Sequence, residues 1–179
     1  MISVTQALSP FSDFSGINPE VLQRAAERGS RVHRACAAYA SGFPALGLHA
    51  EDRGYFISFI KWFDKYVNKV LMIEKRLESP LGYTGQLDLV CWLIDNRCCL
   101  VDYKTPALES PTWKAQIAAY CELALTELDS FQPTLKIEGM ALMLNKEGKP
   151  AKGIVYQYQV DDFAAFLSCL NAYRFFKGV

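Results

Sequence analysis

The sequence predicts an α/β (α+β) fold, a central mixed β-sheet flanked by helices, and three observations carry that prediction. Apolar residues recur at three- and four-residue spacing over two early stretches and two late ones, as helices that bury one face require. Between them lie five short strand-like runs bounded by turn residues. The order is helix, helix, three strands, helix, two strands, helix, which packs helices on the faces of a sheet. At 179 residues the chain is expected to form one domain, 1–179, and its 51% hydrophobic and 13% aromatic content suits a compact core.

Residues 1–19, rich in Ser, Pro, Gly and Phe, read as an irregular N-terminal arm. It ends in Asn18-Pro19-Glu20, an N-cap, an N1 proline and an early acid, so a helix starts there and runs to about Ala40. Ala25, Ala26, Gly29, Cys36, Ala37 and Ala40 give that helix a small-residue face with His33 in its middle, and Arg24, Arg28 and Arg31 lie opposite on an expected solvated face. After a Gly/Pro loop (Ser41 to His49), Asp52 to Asn68 carries Tyr55, Phe56, Phe59, Trp62, Phe63 and Tyr66 at helical spacing, an aromatic stripe expected in the core. Val70 to Glu78 alternates as a strand, and Ser79-Pro80-Leu81-Gly82 turns it. Leu87 to Ile94 and Cys98 to Thr105 are strands joined through Asp95-Asn96-Arg97. A loop over Pro106 to Pro111 leads to a helix over Thr112 to about Leu128. Strands over Leu135 to Leu144 and Gly153 to Val160 follow, separated by a polar connector with Lys146, Lys149 and Lys152. An amphipathic helix over Asp161 to Lys177 ends the chain.

Lysine plus arginine and aspartate plus glutamate both total 19, so no whole-molecule field gathers a polyanion, which argues against a nonspecific DNA coat protein. An enzyme acting on nucleic acid stays open, because a local groove can be basic while a carboxylate cluster cancels the total. The six cysteines show no Cys-x-x-Cys spacing and are expected as buried free thiols. With no secretory leader pattern and no apolar run near 18 residues, the expectation is a cytoplasmic protein away from membranes.

Two aspartates stand where apolar packing would be the cheaper choice. Asp88 and Asp102 lie in neighbouring apolar strands, and a hairpin in register brings them to one end of the sheet. Paired carboxylates repel unless a cation neutralises them, and oxygen donors of this kind suit Mg²⁺ or Mn²⁺. Lys104, two residues after Asp102, offers a cation to orient water or stabilise phosphate charge. Gly82 and Gly85 let backbone approach a metal or phosphate, and Glu74 on the preceding strand can extend the carboxylate set. Gln116 and Tyr120, four apart, share a helix face, with Lys114 nearby on another azimuth. The bland alternatives are a hydrogen-bonded core histidine at 33 and a structural ion pair between Asp102 and Lys104.

Gly85-x-x-Asp88, Asp102-x-Lys104 and Gln116-x-x-x-Tyr120, preceded by Arg28-Gly29-x-x-x-His33, resemble the PD-(D/E)XK nuclease superfamily, and within it the RecB-like exonuclease branch, over about residues 28 to 120. The resemblance implies a restriction-endonuclease-like core and a metal-dependent deoxyribonuclease, expected to be exonucleolytic, that hydrolyses DNA phosphodiester bonds with metal-activated water. It implies Asp88 and Asp102 as central ligands of one or two Mg²⁺ or Mn²⁺, with the Tyr103 carbonyl and His33 as further ligands. Glu74 becomes the outer acidic residue, with Glu78 as its rival on the same strand face. Lys104 assists catalysis, Gln116 and Tyr120 support the site and contact DNA, and Arg28 and Lys114 are further DNA-binding candidates. No iron–sulfur cluster is expected, since Cys169 alone follows Cys121. The alternative is a nuclease-fold protein that binds DNA, or a recombination or repair partner, without cutting.

Overall fold

The computed structural model describes residues 1–12, 16–106, 108–129, 135–158 and 160–178. Its first residues correct the reading of 1–19 as an irregular arm. The chain opens with strand β1 (Ile2–Ser3) and helix α1 (Val4–Leu8), followed by one 3-10 turn (Ser9–Phe11). The Ser3 hydroxyl accepts from the Gln6 N–H and the Gln6 side chain accepts from the Ser3 N–H, a reciprocal capping box that needs only Ser-x-x-Gln. Val4, Ala7 and Leu8 are then buried. Residues 13–15 of the expected arm lie outside the described residues.

Helix α2 (Pro19–Ala40) begins at the anticipated cap, where the Asn18 side chain accepts from the Glu20 N–H at 2.8 Å. Helix α3 (Arg53–Tyr66) buries Tyr55, Phe59 and Trp62 of the aromatic stripe. There follow β2 (Val67–Ser79), β3 (Tyr83–Leu93), β4 (Cys98–Lys104), α4 (Thr112–Asp129), β5 (Ile137–Met143), β6 (Lys152–Gln157) and α5 (Val160–Lys177). β2 and β3 are longer than their apolar runs, because each continues through polar residues that the partner strand supports. The expected end of the last strand includes residue 159, outside the described set. Five cysteines are buried and Cys169 is partly exposed. No helix among the described residues is long and apolar enough to cross a membrane.

The six strands form one mixed sheet in the order β1-β3-β4-β5-β6, with β2 also on β3. β1/β3 and β4/β5 are parallel and the other pairs antiparallel. β2 runs along β3 from Tyr83 to Leu93, so β1 and β4 share the opposite edge. β1 takes Tyr83 and Thr84, and β4 takes Leu89 to Trp92. Among the described residues no strand pairs with 85–88 on that edge, and the candidate site forms at this opening.

Each face of the sheet carries a core. α1, α4 and α5 cover one side, where Leu87, Leu100, Ile117 and Phe166 meet. α2 and α3 cover the other, where Val32, Phe59, Leu89, Val101 and Tyr103 meet. Leu87 and Leu89, two apart, would share a face in a regular strand. They sit in opposite cores, so β3 reverses its faces at Asp88.

If α1 is part of the core, Val4→Ala, at a site with no exposure, lowers unfolding free energy by about 1–3 kcal/mol. Urea denaturation measures this, and a change below about 0.5 kcal/mol would return the segment to an arm.

Candidate metal centre

The β3/β4 ladder runs to Leu89↔Val101. One more step would pair Asp88 with Asp102, but the Asp88 side chain intervenes. Its Oδ2 accepts the Tyr103 backbone N–H at 2.7 Å, doing what a strand carbonyl would otherwise do. Its Oδ1 lies 3.0 Å from His33 Nδ1 on α2. With Asp88 only 7% exposed, both contacts are largely screened from water.

Glu74 stands across β2 from Asp88, between the pairs Ile73↔Leu89 and Lys75↔Leu87. It adopts φ 45°, a left-handed conformation that costs a side chain of this type about 1–2 kcal/mol. The strain coincides with the face reversal of β3. Glu74 Oε2 accepts from Gln86 Nε2 at 2.5 Å, and Gln86 Oε1 accepts from Arg76 at 3.0 Å. Glu74 Oε1 is buried with no hydrogen-bond partner among the described residues. Donor atoms of His33, Glu74 and Asp88 all lie within 4.8 Å of one another. They line a cleft of about 370 Å³ together with Ser30, Arg34 and Gln86. Glu78, which period two could not separate from Glu74, is exposed and lies opposite Thr84, away from this group.

Asp102 and Lys104 project from β4 toward α4. Lys104 Nζ sits 2.5 Å from Asp102 Oδ2 and 2.9 Å from Gln116 Oε1, and 5.2 Å from the centre of the Trp113 ring. Gln116 Nε2 donates to the Tyr120 hydroxyl at 3.3 Å. Thus Asp102, Lys104, Gln116 and Tyr120 form one chain of contacts, while His33, Glu74 and Asp88 form the donor group on the other side. Asp102 does not share the spacing of that group. Gly85 joins the two halves of the site. A Cβ there would lie 2.7 and 2.9 Å from Tyr120 ring atoms and 2.8 Å from Leu123 Cδ1, so only glycine lets α4 close on the opening.

The electrostatics follow from this crowding. Burial, reinforced by the Asp88 charge, raises the Glu74 pKa against the Gln86 hydrogen bond. Burial also raises that of Asp102, with Lys104 opposing and Asp88 adding to the shift. For His33, burial favours the neutral ring, but the charge and hydrogen bond of Asp88, aided by Asp102 and Glu74, overcome it and hold the pKa up to about 9. The imidazolium and Lys104 face three carboxylates, leaving an excess of negative charge in a largely dehydrated place.

The other expected residues are distributed differently. The Tyr103 ring is buried edge-on to His33 and Phe59, and its hydroxyl has no partner. Lys114 pairs with Asp162 of α5 at 3.1 Å. The solvated arginine face of α2 is corrected in part. Arg28 is half-buried with its guanidinium 5.4 Å from the Tyr55 ring centre. Arg31 reaches fully buried Asp52 at 2.6 Å and Glu51 at 2.8 Å. That ion pair also occupies two members of a second donor group, His49, Glu51 and Asp52. Ser30, Arg34 and Gln86 were missed. Ser30 shares the His33 face of α2 by its three-residue spacing, a legible signal, and Arg34 follows Ser30 at four. Gln86 gave none, because its partner depends on the left-handed turn at Glu74.

No protein-family model matches the chain, and no curated protein does. Solved structures do match, two of them over most of their length. One is the alkaline exonuclease LHK-Exo from Laribacter hongkongensis, with TM-score 0.49 and 9% identity over 96% of this chain and 84% of that one. The other is LHK-Exo in complex with dAMP, with TM-score 0.39 and 12% identity over 96% and 85%. A likeness at these scores assigns no function.

Two outcomes are expected. In the metal-free protein the raised His33 pKa contributes stability that is full below about 6.5 and is lost as pH rises through about 9. Urea midpoints from pH 6 to 9.5 follow this loss, and His33→Gln removes that part of the slope. Gly85→Ala forces a methyl against Tyr120 and Leu123 and destabilises by about 1–3 kcal/mol, read from the same unfolding curves.

Proposed function

We propose that the chain is a metal-dependent deoxyribonuclease, working as an exonuclease, that hydrolyses phosphodiester bonds at the opening between β3 and β4. The observation that carries this reading is the buried carboxylate excess beside a fixed lysine. The donors also suit a hard divalent cation. His33 Nδ1 and Asp88 Oδ1 are 3.0 Å apart, and two adjacent ligands of a six-coordinate ion with bonds of about 2.1 Å are separated by roughly 3 Å. Glu74 Oε1 has no hydrogen-bond partner among the described residues. Oxygen donors with one imidazole fit Mg²⁺ or Mn²⁺.

His33, Glu74 and Asp88 would hold the ion, with Asp102 and the Tyr103 carbonyl added from β4 as the resemblance to the PD-(D/E)XK superfamily and its RecB-like branch implies. The Tyr103 N–H already points toward β3, and a strand residue sends its carbonyl to the same edge. Once bound, the ion supplies charge neutralisation at the phosphate and a lowered pKa for water. The remaining roles belong to the chain. Asp102 and Gln116 hold Lys104 Nζ between them, so its direction is fixed before DNA arrives. Gln116 donates to the Tyr120 hydroxyl, which supports a role for both residues in holding Lys104 beside any contact with DNA. His33 must give up its proton to serve as a ligand, so cation uptake releases a proton near pH 7. DNA is the proposed partner, met at the cleft by Ser30 and Arg34 and beyond it by Arg28, with a recombination or repair protein as a further partner.

A second reading is a nuclease-fold protein that binds DNA without cutting. It is favoured by one observation: Asp88 with His33, and Asp102 with Lys104, already form pairs without a metal.

In the nuclease reading, Asp102→Ala and Lys104→Ala each lower Mn²⁺-dependent cleavage of end-labelled linear DNA by at least about 10²–10³-fold while circular dichroism is unchanged. Full activity in either purified variant overturns it. Calorimetry with Mn²⁺ alone separates the two readings. Binding with proton release, weakened about tenfold or more by Glu74→Gln and not by Glu78→Gln, supports the metal site. No heat of binding supports the non-cleaving reading.

A further inference from the structure

The polar connector between β5 and β6, together with Lys152 at the start of β6, carries three lysines that the site described above does not use. We infer that it forms one wall of a groove that holds the sugar–phosphate backbone of the nucleic acid strand entering the centre, with Lys146 and Lys152 as phosphate contacts. This rests on the nuclease reading.

The groove begins where the centre ends. β4 and β5 run parallel and finish together at Lys104↔Met143. Beyond them lies a depression of about 310 Å³, lined by Tyr55, Thr105, Pro106, Asn145, Lys146 and Lys152 among others. Thr105 is the next residue after Lys104, so the groove lies at the same end of the sheet as the site. On the opposite side, Arg28 of α2 places its guanidinium over the Tyr55 ring. Gly29 of the same helix approaches Thr105, whose Oγ1 would be 4.0 Å from a Cβ at that position. The helix that carries His33 therefore borders the groove as well.

The connector is held far more firmly than a chain reversal requires. Its Asn145 N–H donates to the hydroxyl of fully buried Ser58 at 2.9 Å, and Lys61 of α3 donates to the Gly148 carbonyl at 2.7 Å. Asn145 Oδ1 accepts the N–H groups of Glu147 and Lys149, which fixes the turn internally. Gly54 of α3 packs so closely that a Cβ would lie 1.7 Å from the Lys146 carbonyl oxygen. Three independent contacts to α3 thus fix the backbone on which the lysines stand.

The lysines divide by partner. Lys149 pairs with Glu147 at 2.6 Å. Lys146 and Lys152, both exposed, have no ion-pair partner among the described residues. In a chain of zero net charge, two exposed ammonium groups outside any ion pair, Lys146 near the charge of Glu147, stand on a rigid wall at the end of the sheet that carries the carboxylate-rich cleft and separate charge along one path. A phosphodiester backbone fits this arrangement, since phosphates engage the lysines while the scissile group reaches Lys104.

The test measures binding of a fluorescein-labelled 12-nucleotide single strand by anisotropy in EDTA, from about 50 to 200 mM KCl, with full-length protein. The double variant Lys146→Gln/Lys152→Gln is expected to weaken binding about tenfold or more at the lowest salt. The slope of log K against log salt should fall by about 1.4, from about 0.7 per phosphate contact. Lys149→Gln, on the same connector, should leave the slope as in the parent, and Lys146→Arg/Lys152→Arg should restore it. An unchanged slope in the double variant, or no binding by the parent chain, overturns the groove. If the slope falls but the parent never cleaves DNA with Mn²⁺, the groove stands and the nuclease reading fails. If Mn²⁺-dependent cleavage is present with an unchanged slope, the groove alone fails.

Discussion

The Asp88 carboxylate takes the place of a backbone carbonyl where β3 and β4 part, and the site depends on that substitution. A strand N–H left unpaired in the sheet interior would lose about 1–3 kcal/mol, so the Tyr103 amide demands an acceptor. Supplying it from a side chain lets the strands separate without an orphaned donor. The same carboxylate meets His33, and so ties α2 to the sheet at the opening. One residue closes a hydrogen-bond account, sets the end of a ladder and fixes a helix. Its charge then adds to the effect of burial on Glu74 and Asp102 and opposes it on His33.

The two sides of the opening solve opposite problems. On the α2 side, negative charge is gathered and His33 pairs with it, at the expense of a left-handed backbone at Glu74. On the α4 side, charge is balanced, with Lys104 locked between Asp102 and Gln116. Strain and surplus charge fall where a ligand is proposed, and satisfied pairing falls where rigidity is needed. Such a division is what functional sites ask of an otherwise well-packed fold.

Much of this was legible in the residues. The mixed sheet flanked by helices followed from periodicity, and Asn18-Pro19-Glu20 marked the start of α2 because capping is local chemistry. Asp88 and Asp102 stood out because buried carboxylates in apolar strands are rare without a partner. What was hidden depended on long-range contacts or on broken periodicity. Glu74 and Glu78 could not be told apart, since period two assumes a regular strand and Glu74 is left-handed. The N-terminal segment looked irregular because five helical residues are too few to show a pattern, yet its cap and three buried side chains define it. The arginines of α2 seemed solvated because Asp52, the group that draws Arg31 inward, lies 21 residues away.

Gly85 and Tyr120 read in the sequence as members of two separate motifs, but in the fold they are halves of one contact. The ring occupies the volume that any side chain at position 85 would fill. Neither position is therefore free to change alone: a larger residue at 85 asks for a smaller one at 120, and a smaller one at 120 leaves a cavity against the sheet. In related chains the two positions are expected to covary as a single character, and the pair should be exchanged together when the site is redesigned.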